Sequence, residues 1–129
     1  NYLLGFVGTS IDQILGLIFQ PLAWTMGVPW EESALMGTLM GKKIAFTELI
    51  AYGDLKEIMA SGQISERTAI IASYALCGFA NFGSIGIQLG GIGAMAPERK
   101  KDLAALVSKA MIGGALASWL TATVAGILI

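Results

Sequence analysis

The sequence predicts an all-α membrane protein, built from transmembrane helices together with a re-entrant helical hairpin and a discontinuous helix. Hydrophobic residues make up 55% of the 129 residues, and charged residues only 13%, against about 25% in soluble domains. The mean hydropathy is +0.71, and the 17 glycines favour close contact between transmembrane helices. The alternative is an unusually apolar soluble helical protein, which so few charged residues disfavour.

Composition also limits the function. The net charge of -1 gives no reason to expect nucleic-acid binding, and the single cysteine, Cys77, excludes an internal disulfide and a cysteine-rich metal site. Histidine is absent, so the commonest general base and metal ligand is missing. We therefore expect no metal site, no cofactor and no enzyme activity. The chain starts at Asn1, which we interpret as the start of a fragment whose partners lie upstream.

The first predicted element is a transmembrane helix within residues 1–30. About twenty apolar residues span a bilayer, and residues 2–28 supply them. Trp24 and Trp30 mark the far end, where aromatic rings favour the interface. Asp12 is too costly to face lipid, so we expect it to face protein or water.

Residues 34–59 predict a re-entrant hairpin. Two apolar stretches are separated by Lys42 and Lys43, and Glu48 follows. A single straight span would bury these three ionisable groups near the bilayer centre, at about 2.5–3.5 kcal/mol or more for each. Two short helices joined by a bend would bring them together at a tip instead.

Residues 66–96 predict a helix that is broken in the middle. Ser65 is a suitable N-cap for its first half. The stretch GFANFGSIG, residues 78–86, contains poor helix formers, and Asn81 and Ser84 stand among them. Broken helices at membrane depth expose backbone groups that bind ligands or ions. The alternative is a tight helix crossing through small residues.

Residues 97–102 form a short charged loop in this prediction, and residues 103–129 form the last transmembrane helix. The loop carries Arg99, Lys100 and Lys101, so the positive-inside rule places it in the cytoplasm. Alternation along the chain then places the C-terminus outside and the start of the chain inside.

The polar groups inside the apolar segments are the candidate functional residues. Glu48 can accept hydrogen bonds from hydroxyl groups, and Asn81 and Ser84 can both donate and accept them. This combination favours a neutral polyhydroxylated ligand. The alternative is an ion pair of Glu48 with Lys42 or Lys43 that only stabilises the hairpin.

Two segments carry a family resemblance. GKKIAFTELIAY (residues 41–52) resembles the second re-entrant hairpin of the concentrative nucleoside transporters, and ALCGFANFGSIGIQ (residues 75–88) resembles their following broken helix. The resemblance covers essentially the whole chain. It implies a homotrimeric symporter in a plasma membrane, such as the bacterial inner membrane, that moves nucleosides such as uridine with Na⁺ or H⁺. It also implies that residues 1–30 belong to a scaffold domain and residues 31–129 to a moving transport domain.

The resemblance assigns roles to particular residues. Glu48 would bind the ribose hydroxyls, and Asn81 and Ser84 would complete the sugar site, with Phe79 nearby. Thr47 stands where many members have asparagine, which could alter the substrate preference. The nucleobase and the coupling ion would bind mainly upstream of this chain. Transport of another polar solute and a membrane scaffold or assembly role are the other hypotheses.

Overall fold

The computed structural model describes residues 10–129, and this part of the chain is helical and contains no β-strand. Residues 1–9, which include the start of the predicted first transmembrane helix, lie outside the described residues. The helices are α1 (Ile11–Thr25), α2 (Trp30–Ala45), α3 (Glu48–Ala60), α4 (Glu66–Ala75), α5 (Phe82–Met95) and α6 (Lys100–Leu128). A short 3₁₀ turn, Pro97–Arg99, precedes α6. The all-α fold class is confirmed.

The first two helices pack closely because glycines face each other. A Cβ atom added to Gly37 of α2 would lie 2.5 Å from the carbonyl oxygen of Gly16 of α1. A Cβ added to Gly41 would lie 2.6 Å from the Cβ of Leu15. Any larger residue at these positions would push the two backbones apart. The close contact of α1 with α2 therefore depends on the small size of these residues.

The helix pair α2 and α3 occupies the position of the predicted hairpin. Only Phe46 and Thr47 separate the two helices. Thr47 has an extended backbone, and its side chain accepts a hydrogen bond from the backbone N–H of Ile50 at 3.4 Å. Thr47 is thus the N-cap that allows α3 to start directly after the bend. The entry of this helix pair into a bilayer stays a prediction.

Over the range 66–96, where a broken helix is predicted, the chain forms two helices with a short connection between them. Ser65 caps α4 by accepting a hydrogen bond from the N–H of Thr68 at 3.3 Å, as the sequence predicts. Helix α4 ends at Ala75, and α5 starts at Phe82. The non-helical residues 76–81 include Gly78, whose φ of +100° lies in the region that favours glycine.

The last helix is longer than predicted. Helix α6 starts at Lys100, three residues before the predicted start at residue 103. Arg99 donates to Asp102 at 2.6 Å, so part of the predicted charged loop is helical. Within residues 10–129, the helical run Pro97–Leu128, 32 residues long, is the one that is long and apolar enough to cross a membrane, and an 18-residue stretch within it has a mean hydropathy of 1.6.

The hydrophobic core lies between α2, α4 and their neighbours. Its fully buried members include the following apolar side chains: Ala23, Met36, Leu39, Met40, Ala51, Ile71, Ala72, Ala75, Leu76 and Ala122. Helix α4 contacts α6, and α5 contacts α6 as well. This core brings the bend between α2 and α3 close to the interruption between α4 and α5.

Candidate functional site

The N-termini of α3 and α5 meet through one hydrogen bond between side chains. Asn81 Nδ2 donates to Glu48 Oε2 at 2.9 Å. Glu48 is the first residue of α3, and Asn81 is the N-cap of α5. Helix N-termini carry a positive partial charge, which stabilises a carboxylate placed there. The fold therefore brings together the two polar residues that the sequence analysis selected from separate motifs. We call these two side chains the Glu48–Asn81 pair.

The side chain of Asn81 has a fixed orientation. It is only 3% exposed, and its Oδ1 accepts hydrogen bonds from the backbone N–H of Ser84 at 2.8 Å and from the Ser84 hydroxyl at 3.0 Å. An amide whose oxygen caps a helix must direct its NH₂ group the other way. That direction leads to Glu48, so the cap of α5 also determines how Asn81 meets the carboxylate.

Ser84 lies beneath Asn81 and is 4% exposed. Its hydroxyl contacts Asn81 Oδ1 and the carbonyl oxygen of Phe79. Both contacts stay within the interruption, so Ser84 holds residues 79–81 against the first turn of α5. A direct contact between Ser84 and a ligand stays a prediction.

Two phenylalanines flank Asn81 on the surface. Phe79 is 75% exposed and Phe82 is 59% exposed. Their rings are available to an apolar or aromatic part of a ligand that contacts the Glu48–Asn81 pair. Thr47 lies next to Glu48, but its hydroxyl oxygen accepts from Ile50 as the cap of α3. Four of the five predicted site residues thus surround the junction of two helix ends, and Thr47 supports one of those ends.

The two neighbouring lysines have different partners, and neither forms an ion pair with Glu48 among the described residues. Lys42 Nζ lies 2.6 Å from an Asp54 carboxylate oxygen and 3.5 Å from one of Asp12. Asp12 therefore faces protein, as predicted. Glu48 forms its hydrogen bond with Asn81, so the direct ion pair of Glu48 with Lys42 or Lys43 that the alternative requires is not found among the described residues.

Lys43 is fully buried, and it contacts the interruption at the end where α4 stops. Its Nζ donates to the carbonyl oxygens of Ala75 at 3.1 Å and Cys77 at 3.3 Å, and to the hydroxyl of Ser118 at 2.9 Å. The sequence does not predict these partners. No local pattern marks Ser118, which is 75 residues away along the chain.

A groove in the described residues lies elsewhere. It has a volume of about 930 Å³ and runs between α1, α2 and α3, where Asp12, Lys42 and Asp54 line it. These charged groups are already paired with each other. The Glu48–Asn81 pair instead lies beside exposed aromatic rings and combines a carboxylate with an amide. We therefore assign the candidate functional site to the junction of α3 and α5.

Comparison with known proteins agrees with this architecture. Residues 1–126 match the family model described as "Na+ dependent nucleoside transporter C-terminus". The chain is 44% identical to the "Uncharacterized transporter YutK" of Bacillus subtilis, over 98% of this chain and 31% of that protein. It is 42% identical to the "Putative nucleoside permease NupX" of Escherichia coli, over 97% of this chain and 30% of that protein.

A solved structure has the same fold. The structure of CNTnw in an inward-facing substrate-bound state matches with a TM-score of 0.93 and 44% identity, over 98% of this chain and 31% of that chain. The fold and the matches define part of a membrane transporter, since the relatives are transporters and not enzymes. The chain belongs to the concentrative nucleoside transporter family and corresponds to its C-terminal portion. It spans about a third of the length of these relatives.

Proposed function

We propose that the full-length protein is a nucleoside symporter driven by Na⁺ or H⁺, and that this chain carries the ribose-binding half of its substrate site. The observation that supports this role is the Glu48–Asn81 hydrogen bond of 2.9 Å at the junction of α3 and α5. It places a carboxylate and an amide from two different motifs at one point. The family match and the nucleoside permease among the relatives support the substrate class.

The chemistry of the pair suits a ribose. A carboxylate has two oxygens that accept hydrogen bonds, and two neighbouring hydroxyl groups of a sugar can donate to both. Hydrogen bonds to a charged group are stronger than those between neutral groups, so Glu48 forms the strongest hydrogen bonds to the sugar. Asn81 and Ser84 complete the sugar site, and Phe79 contacts the ligand beside it.

We propose the remaining features of the transporter from the family resemblance and, for the orientation in the membrane, from the basic residues in the segment 97–102. The protein acts as a homotrimer in a plasma membrane, such as the bacterial inner membrane, with residues 97–102 in the cytoplasm and the C-terminus outside. Residues 1–30 belong to the scaffold, and residues 31–129 move with the substrate. The nucleobase and the coupling ion bind mainly to parts of the protein outside this chain, and transport requires no cofactor.

Uptake of labelled uridine by the full-length protein in proteoliposomes tests the proposal. Imposed Na⁺ and H⁺ gradients identify the coupling ion. We expect Glu48→Gln to lower kcat/KM for uridine by about 100-fold, because weaker neutral hydrogen bonds replace two charge-assisted ones. The matched control is Glu57→Gln, which removes an exposed carboxylate from the same helix.

Each alternative result has a distinct meaning. Equal uptake by Glu48→Gln and the wild-type protein would rule out Glu48 as a ribose ligand and keep the transporter. If the wild-type protein took up no nucleoside under either gradient, the nucleoside proposal would fail. Gradient-driven uptake of a different polar solute would then replace it.

A further inference from the structure

Lys43 has no role in the transport proposal, although it is 0% exposed and lies in the last turn of α2. A buried lysine costs free energy unless its charge and its donors are compensated. Its three contacts are the carbonyl oxygens of Ala75 and Cys77 and the hydroxyl of Ser118. All three atoms come from elements that surround the interruption between α4 and α5 or pack against it.

The contacts fit a protonated amine. The Ser118 hydroxyl donates to the carbonyl oxygen of Ala115 at 2.8 Å, so its oxygen accepts from Lys43. The other two partners are carbonyl oxygens, which can only accept. Three acceptors match the three N–H groups of an ammonium. Lys43 therefore uses every donor that it has.

The direct contacts of Lys43 are with a helix end and not with a carboxylate, while the Glu48 carboxylate acts on its charge from a longer distance. No carboxylate among the described residues lies within ion-pair distance of Lys43. The carbonyl of Ala75 belongs to the last residue of α4, and that of Cys77 follows two residues later. Carbonyls at a helix C-terminus lack intrahelical partners and carry a negative partial charge. Lys43 thus caps α4 from a different helix.

This cap connects the two backbone segments that carry the candidate site. Lys43 precedes Glu48 by five residues, across the bend between α2 and α3. The carbonyl of Cys77 precedes Asn81 by four residues, within the interruption. The position of α4's end relative to α2 therefore affects the distance between Glu48 and Asn81.

We infer that Lys43 is a positioning residue for the substrate site, and that it sets the geometry in which Glu48 and Asn81 meet the ribose hydroxyls. This inference rests on the ribose-binding role proposed for Glu48. Lys43 does not contact the substrate and acts through the end of α4. A lysine needed only for folding would change the amount of active transporter and leave its recognition of the ribose intact.

Comparing uridine with 3′-deoxyuridine separates these roles in the full-length protein in proteoliposomes. The KM for 3′-deoxyuridine divided by the KM for uridine measures recognition of one ribose hydroxyl, independently of the amount of protein. We expect Lys43→Met to reduce this ratio by about tenfold, because the hydrogen bond from that hydroxyl to Glu48 loses its geometry. Lys42→Met is the matched control, and it should leave the ratio unchanged since Lys42 contacts Asp54 and Asp12.

Ser118→Ala is a milder variant that keeps the lysine and both carbonyl contacts. It removes one of three acceptors, so the ratio should fall about two- to threefold. If both Lys43→Met and Ser118→Ala kept the wild-type ratio, the positioning role would be overturned. If Lys43→Met did not assemble, an unchanged ratio in Ser118→Ala would overturn it alone.

A second measurement distinguishes failure of this inference from failure of the proposed function. Wild-type protein with equal KM values for both nucleosides would refute ribose binding by Glu48. The rate of amide hydrogen exchange at residues 76–84 would then test separately whether Lys43 positions the interruption. Faster exchange there in Lys43→Met, but not in Lys42→Met, would keep Lys43 as the residue that positions the interruption. Equal exchange rates in both variants would also refute the role of Lys43 in positioning the interruption.

Discussion

The two faces of α2 make contacts of opposite kinds. The face toward α1 packs Gly37 against the α1 backbone and Gly41 against the Leu15 side chain, and Lys42 at its end contacts carboxylates. The other face directs Lys43 to carbonyl oxygens at the interrupted helix. On the first face the size of the side chains decides the packing. On the second face hydrogen-bond donors match acceptors, and we infer that this matching sets the geometry of the site.

The difference separates stability from substrate recognition. Changes on the face toward α1 should alter the stability of the full-length transporter and leave the KM for uridine unchanged. Changes at Glu48 or Lys43 should alter recognition of the ribose. Three variants that do not touch the junction of α3 and α5 test this separation.

The largest effect on stability is expected for Gly37→Ala. The added Cβ would lie 2.5 Å from the Gly16 carbonyl oxygen, so α1 and α2 must move apart, at a cost of about 1–3 kcal/mol. The midpoint of thermal unfolding in detergent measures the change. Gly53→Ala is the control, because a Cβ there meets nothing within 4 Å and alanine favours the helix. A Gly37→Ala protein as stable as Gly53→Ala would contradict the close packing.

A smaller effect is expected for Lys42→Met. This variant leaves the Asp54 carboxylate without its partner at 2.6 Å, and we expect a loss of about 1 kcal/mol because the groups are partly exposed. A double-mutant cycle with Asp54→Asn measures the coupling. If the two single variants have fully additive effects on the unfolding midpoint, the ion pair does not stabilise the protein. A changed KM for uridine in Lys42→Met would break the separation between the two faces.

The smallest effect concerns Glu32 at the start of α2, outside the predicted hairpin. Burial raises the pKa of the Glu32 carboxyl. Hydrogen bonds from the Thr68 side chain and from the backbone and side chain of Ser65 lower the pKa. Together these hydrogen bonds outweigh the effect of burial, so the pKa lies below 4.5. The Ser65 contacts measure 3.1 Å from the backbone N–H and 3.0 Å from the hydroxyl. Glu32 thereby connects α2 to the start of α4.

The lowered pKa gives a pH dependence with a definite sign. The ionised carboxylate stabilises the folded state at pH values above the unfolded pKa, and this contribution is lost as the pH falls below 4.5 through the folded pKa. We expect the advantage of wild-type protein over Glu32→Gln, at most about 1 kcal/mol at pH 7, to shrink on acidification. Unfolding midpoints from pH 7 to pH 3 measure it, with Glu31→Gln as the control. An advantage that grew toward pH 3 would contradict the assignment.

Local signals in the sequence predicted much of the helical architecture. Ser65 caps α4 as expected, since an N-cap depends on a hydroxyl and its neighbours only a few residues away. The bend between Lys43 and Glu48 and the interruption near Asn81 both follow from polar residues or glycines within apolar stretches. The start of α6 was predicted three residues late, because a run of charged residues indicates a loop until Arg99 and Asp102 pair along the helix.

By itself, the sequence determined the fold class and the two motifs and predicted candidate ligand-binding residues, because hydropathy, capping and helix interruption are properties of neighbouring residues. Only the tertiary structure decided which groups meet. Glu48 is paired with Asn81, 33 residues away, and not with the lysines beside it. Lys43 reaches Ser118 across 75 residues. A side chain takes its partner from the helix that packs against it, and that packing is decided by the whole core.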